Sequence, residues 1–455
     1  MSRLLKTGFF LALVLVFAAG RVADAAFTQE EVLRRRLDRM ERELSQLRRQ
    51  MERGDPAAGV DRTQLSQVVK EELEKIQGPE TFHVYWKEGL RLKTMDEAFS
   101  LRIGGRVMVD WAWMDEDDEL TREFGEFEDG IEFRRARMYM QGDIYENTGY
   151  KLQLDFAGGE VALKDAYLEF LNLLPFAELK VGHFKEPFSL EELTSSKYIT
   201  FMERALPVSL APSRNTGFQL SGDLLDDRMT WAGGIFWDAD GTGDANMEDG
   251  AALTGRLTYL PWYEDDGAKL LHLGAAGSYR SPDMVELEIR PEIHQAEKLL
   301  TTMEFMTDSA WQGGLEAALV HGPFSVQAEA ITTGIDREDH GDLDLSGFYV
   351  FGSYFLTGEH RAYKGGSFSR VKPINNFDGK GNWGAWEVAA RYSHLELEDD
   401  DYGDQELDGI TAGLNWYLNP NMRVMWNYVL SGYEADDEDI DGDVQAFMMR
   451  FQVDF

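Results

Sequence analysis

From about residue 81 onward, apolar positions recur with a period of two. Leu101, Ile103, Val107, Val109 and Trp111 alternate with Arg102, Gly104, Arg106 and Asp110. Tyr150, Leu152, Leu154 and Phe156 alternate with Lys151, Gln153 and Asp155. The same holds for Phe324 to Ala330 around Ser325, Gln327 and Glu329, and for Trp386 to Ser393 around Glu387 and Arg391. Met422, Val424, Trp426, Tyr428 and Leu430 alternate with Arg423, Asn427 and Ser431. The last run puts Phe447, Met449, Phe451, Val453 and Phe455 on one face, and Ala446, Met448, Arg450, Gln452 and Asp454 on the other. A soluble sandwich buries its apolar faces against each other. Here the second face mixes Arg, Lys and Glu, which suits a water-filled lumen, while the apolar face suits lipid. The pattern predicts an all-β fold, a transmembrane antiparallel β-barrel over residues 81–455. At about ten residues per crossing plus loops, that length suits about sixteen strands, a size that leaves an open channel.

Connections alternate in length. His321-Gly322-Pro323 and Asn419-Pro420-Asn421 are tight turns, whereas acidic stretches at 115–129, 238–249, 396–404 and 434–443 are long loops. Short turns on the periplasmic side and long loops outside are expected of such a barrel. Facing lipopolysaccharide, acidic loops can share divalent cations with phosphate groups.

The period differs before residue 81. Arg3 and Lys6 precede an apolar stretch from Phe9 to Ala19, and Ala23-Asp24-Ala25 supplies a cleavage site, so residues 1–25 read as a signal peptide. Leu33, Leu37, Met40, Leu44, Leu47 and Met51 then repeat at spacings of four and three. This is a coiled-coil seam, and residues 29–77 are expected to form a helical stalk in the periplasm that supports trimer assembly.

The chain carries 82 acidic and 45 basic residues, a formal net charge of -37. That argues against nucleic acid, which needs a basic footprint. With no cysteine, disulfide frameworks and thiolate metal sites are excluded. The eight histidines show no zinc spacing, and no nucleophile motif, phosphate-cradling loop or dinucleotide fingerprint is present, so neither an enzyme nor a cofactor is implied. Asp437 to Gly442 resembles the start of a calcium loop, but its twelfth position is Met448, and a polar turn is expected.

The longest insertion, residues 184–215, opens Phe-Lys-Glu-Pro-Phe-Ser-Leu-Glu-Glu-Leu-Thr-Ser-Ser-Lys-Tyr-Ile-Thr-Phe-Met-Glu-Arg. It resembles the constriction loop of the phosphate-selective porin O and P family. Phe133-Arg134-Arg135-Ala136-Arg137, Lys164-Asp165-Ala166-Tyr167-Leu168, the segment Asp378 to Glu387 and Leu414-Asn415-Trp416-Tyr417-Leu418-Asn419-Pro420 resemble the same family. The resemblance implies a trimeric sixteen-stranded outer-membrane barrel, delivered by the barrel-assembly machinery, with its third outer loop folded inward to bind anions. By the same resemblance the anion-binding residues fall on Arg134, Arg135, Asp165, Ser195 and Arg204. The central lysine of the phosphate-binding member falls on Glu192, which reverses the charge there.

Arg102, Arg106 and Arg137 extend Arg134 and Arg135 into a basic ladder on the lumen wall, and Lys185, Lys197, Arg204 and Arg214 add charge from the loop. Guanidinium forks bind phosphate oxygens bidentately and stay charged at every relevant pH. Two outcomes stay open: these cations form a net anion site, or they pair with Glu186, Glu191, Glu192 and Glu203 and pin the loop. The expectation is a porin passing small anions such as phosphate, with modest preference. The alternatives are a general or weakly cation-selective porin, and an envelope tether whose barrel is mainly an anchor.

Overall fold

The two-faced alternation becomes a closed ring of strands. The computed structural model describes residues 82–455 apart from 175, 283, 339–340, 400–402 and 436–439, so the signal peptide, the heptad stalk and half of the calcium-like turn lie outside the described residues. The ring begins with β1 (Ser100–Glu116), β2 (Gly130–Ile144), β3 (Thr148–Asp155), β4 (Ala162–Leu174) and β5 (Ala177–Lys185). It continues with β6 (Arg214–Leu224), β7 (Met229–Trp237), β8 (Ala252–Glu264), β9 (Lys269–Arg280), β10 (Phe305–His321) and β11 (Phe324–Arg337). It ends with β12 (Leu343–Phe355), β13 (Ala385–Glu398), β14 (Gln405–Asn419), β15 (Met422–Ala435) and β16 (Ile440–Asp454). Each strand pairs antiparallel with the next, and β16 returns to β1 from Val444↔Glu116 to Asp454↔Arg106. Closure leaves the ring of sixteen strands no free edge, which a barrel in lipid requires.

The seam needs glycine. Gly105 and Phe455 exchange backbone hydrogen bonds of 2.7 and 3.0 Å, and a Cβ on Gly105 would stand 2.9 Å from the Phe455 ring. Below Phe455 the foot of β1 is covered by a hairpin, Phe82–Trp86 and Leu90–Thr94, whose second strand pairs Leu90↔Ile103 to Lys93↔Ser100.

The faces segregate as the period predicts. Phe447 and Phe451 point outward beside Trp113 and Trp111, with ring centroids 5.8 and 5.5 Å apart, while Ala446, Met448, Arg450, Gln452 and Asp454 are buried inward.

Two features correct the sequence expectation. The lumen is not polar throughout: Leu395, Leu397, Leu407, Met425, Val429, Tyr433, Val444 and Met448 form an interior apolar cluster with Leu120, Met202, Leu206, Ile293 and Leu300 from inward loops. Several of these wall strands are apolar on both faces near one rim, because loops there cover the inner face and displace water. Loop length also breaks its rule. Most connections at the rim carrying Phe455 are tight, but residues 356–384 are long and fold back inside.

Candidate functional site

The inserted loop, residues 186–213, crosses the lumen along one wall. Its carbonyls accept from Arg423 (Ile199, 2.8 Å), Asn415 (Thr200, 2.9 Å), Arg450 (Met202, 2.6 Å), Arg391 (Glu203, 3.0 Å) and Gln312 (Leu210, 2.9 Å). The wall strands β10 to β16 thus satisfy a backbone that a dry interior would otherwise leave orphaned. The loop fills that half of the barrel and leaves a cavity of about 870 Å³ chiefly on the β2–β8 side.

Eleven cationic side chains line this cavity: Arg106, Arg134, Arg135, Arg137, Arg204, Arg214 and Arg256, with Lys151, Lys164, Lys180 and Lys185. Only four carboxylates join them, Asp165, Glu178, Glu192 and Asp223. The lining is therefore cationic although the chain is acidic. Two bulges help to make it so. The β1–β2 register slips between Met108↔Arg135 and Val109↔Phe133, so Arg134 and Arg135 both reach the lumen although they are consecutive. The β3–β4 register slips between Gln153↔Asp165 and Leu154↔Leu163, with the same result for Lys164 and Asp165. A bulge re-aims one residue against the pleat, here doubling the polar groups per rung.

Pairing then sorts the cations. Arg134 forks onto both oxygens of Glu203 at 2.8 Å, and Arg450 binds the same carboxylate at 2.8 Å. Glu192 takes Lys185 at 2.9 Å and Arg204 at 3.0 Å. Asp165 takes Arg214 at 2.9 Å and also Lys151, and Arg137 lies 2.6 Å from Asp155. Three lining cations have no carboxylate partner among the described residues. Arg106 reaches only hydroxyls, Ser196 at 2.6 Å and Ser195 at 3.5 Å. Arg135 is 4% exposed, touches Met108 Sδ at 3.7 Å and leaves its Nε without an acceptor. Lys164 is the third. The Ser195 and Ser196 oxygens accept from Arg106 and keep their hydroxyl hydrogens to donate, so with Arg135 and Lys164 this space offers a set of donors that an anion can complete.

The matching family model is that of the phosphate-selective porins O and P, over residues 101–455. The chain belongs to this family. Porin O of Pseudomonas aeruginosa is 29% identical over 418 residues, covering 81% of this chain and 91% of its own. An uncharacterised protein of Caulobacter vibrioides is 29% identical over 393 residues, with 82% and 77% covered. Among solved structures, an anion-selective porin from Comamonas acidovorans superposes with a TM-score of 0.51 at 14% identity, over 78% of this chain and all of its own. The outer-membrane channel DcaP of Acinetobacter baumannii gives 0.50 at 12% identity, over 79% and 99%. These two share the barrel fold. Family and fold are those of an outer-membrane channel rather than an enzyme.

The porin places the expected site residues unevenly. Arg134, Arg135, Asp165, Glu192, Ser195 and Arg204 all line one cavity, as do Arg106 and Arg137 of the ladder. Arg102 does not: it donates to the Glu88 carbonyl in the N-terminal hairpin, at 2.9 Å from Nε. Lys197 also lies elsewhere, in a small recess with Arg370, Gln452 and Asp454. Sequence reasoning missed Lys164, Arg256 and Ser196 as lining groups. Lys151 stood on the polar face of its alternating run and was legible there.

Lys197 lies 3.8 Å from Asp454, with its ammonium over the rings of Tyr198 and Tyr139. Burial pulls it down to about 7 against the raising effect of Asp454, and Arg106 and Arg370 add to the lowering. It is charged below that pH and neutral above it. Raising the pH from about 6 to about 8 therefore removes one positive charge from the lumen. A modest fall in anion preference is expected, and Lys197→Met should flatten it in reversal potentials recorded across that range.

Proposed function

We propose that this porin carries small anions, phosphate among them, by passive diffusion through the cavity lined by Arg106, Arg135 and Lys164. The observation that carries this reading is the set of three cations that, among the described residues, have no carboxylate within ion-pair distance, in a lining where positive groups outnumber negative ones. Charges in a narrow, partly dehydrated passage act with little screening, whereas the acidic outer loops act through water and are screened within about 10 Å. The constriction, not the net charge, then decides the sign. The reading also includes a homotrimer in contact with outer-membrane lipid and lipopolysaccharide, and a periplasmic stalk at residues 29–77, supported by the heptads.

A reversal potential in a salt gradient across a planar bilayer tests the sign. Anion preference, with phosphate blocking chloride current, is expected. Clear cation selectivity would replace this reading with that of a general porin, and a folded barrel passing no current would favour the tether.

A further inference from the structure

The inserted loop leaves the wall after Lys185 and makes one short helical turn, Leu190–Leu193, against β11. Glu329 on β11 meets it there. Its Oε2 accepts the Leu190 backbone N–H at 2.8 Å and its Oε1 accepts the Glu191 N–H at 2.7 Å. The Tyr349 hydroxyl donates to the same Oε1 at 2.6 Å, and Gln327 Nε2 donates to that hydroxyl at 2.6 Å. Arg361, from the second inward segment, donates to Gln327 Oε1 at 2.9 Å. Arg361 also lies over Phe368 at 3.5 Å, and the Phe368 N–H reaches Thr194 Oγ1 of the loop at 3.3 Å.

Glu329 is 3% exposed, and no ion pair among the described residues includes it. Three other buried carboxylates of the lumen face a cation: Glu186 has Arg280, Glu292 has Arg391 and Glu316 has Arg256. Glu387 resembles Glu329 in being held by neutral donors, Asn415 at 3.0 Å and the Tyr417 hydroxyl at 2.8 Å, but both of those lie on the wall and neither on the loop. A carboxyl group enclosed without a cation must be held by hydrogen-bond donors. Two of the donors to Glu329 belong to the loop backbone. The wall holds the loop, and the loop in turn satisfies the wall carboxylate.

We infer that Glu329 is a positioning residue for the constriction: acting through the backbone of Leu190 and Glu191, it sets where the loop stands and so how far Ser195, Ser196 and Glu192 lie from the wall arginines. The role does not depend on the sign of the permeating ion. Conductance and open-channel noise read the loop's position, whereas the reversal potential reads selectivity, so the two ideas fail separately.

The test is single-channel recording of Glu329→Gln, Glu329→Asp and Tyr349→Phe, with Ser325→Ala as control. Ser325 lies on the same strand and bonds Ser353 at 2.8 Å. Gln fills the volume but offers one acceptor oxygen and turns an NH₂ toward a backbone N–H. Asp is shorter but keeps both carboxyl oxygens. A several-fold rise in open-channel noise is expected for Gln, a smaller one for Asp and for Tyr349→Phe, and none for Ser325→Ala, all with unchanged heat-modifiable gel mobility. A role in filling space alone would rank Asp as worse than Gln, and that order would overturn the inference. Where Glu329→Gln does not fold, Tyr349→Phe decides: a trace identical to the unmodified porin refutes the positioning role.

Discussion

Replacing Arg106 and Arg135 together by alanine is expected to abolish most of the anion preference and the phosphate block of chloride current. These two guanidinium groups line the cavity with no carboxylate within ion-pair distance among the described residues, although Glu203 stands near Arg135 and Asp165 and Asp454 near Arg106. A unit charge about 4 Å from a bound anion contributes at most about 4 kcal/mol at an effective dielectric near 20. Hydration of the passage lowers this, and about 1.4 kcal/mol for each arginine is a tenfold change in affinity. The double variant should therefore need about a hundredfold more phosphate for half-block, measured as chloride current against added phosphate. Arg134→Ala should behave differently. Its charge is already spent on Glu203, so its removal should disturb the loop more than the selectivity. Equal losses for Arg134 and Arg135 would show that pairing does not decide which cations the ion meets.

Much of this architecture was legible in the alternation, because lipid outside and water inside force opposite chemistry onto successive residues. The outward faces of β1 and β16, the tight turns at Gly322-Pro323 and Pro420-Asn421, and the inward loop with its Ser195 and Glu192 follow from it or from the family resemblance. A period-two reading alone sets Arg134 and Arg135 on opposite faces; the resemblance put both in the lumen, and the bulge is what brings them there. Three things followed from neither. Lys164 beside Asp165 was hidden by the second bulge. The apolar inner cluster looked like ordinary strand hydrophobicity, because what covers Leu395 or Val429 comes from residues far away in the chain. The inward course of residues 356–384 had no signal in periodicity. Its evidence is long-range: Gly366 O accepting from Arg256 at 2.8 Å, and Phe368 N–H reaching Thr194.

The sharpest departure from the family pattern, Glu192, is also where the next largest effect is expected. Its carboxylate holds Lys185 and Arg204 and accepts Ser213 Oγ at 3.1 Å. Burial alone would push this carboxyl up, but Arg204 and Lys185 outweigh it and hold it at about 2. A carboxyl depressed in the folded protein lends stability that is complete above its ordinary value and is lost only as pH falls through the depressed one. Glu192 therefore stays ionised through the whole working range, and its two cations stay offset. Glu192→Gln keeps the shape and removes the negative charge that offsets Arg204 and Lys185. Anion preference should rise and half-block by phosphate should fall about tenfold, for one added net charge at partly screened distance. Removing one member of a buried ion pair costs about 3 kcal/mol, so some loosening of the loop joint should accompany the gain. Glu192→Lys adds a further charge but sets three cations against one another, which makes Gln the cleaner variant. Because Glu192 does not titrate near neutrality, the difference between Glu192→Gln and the unmodified porin should persist from about pH 5 to about pH 8, unlike the step assigned to Lys197. An unchanged reversal potential and block in Glu192→Gln would mean that Lys185 and Arg204 brace the loop and never meet the permeating ion.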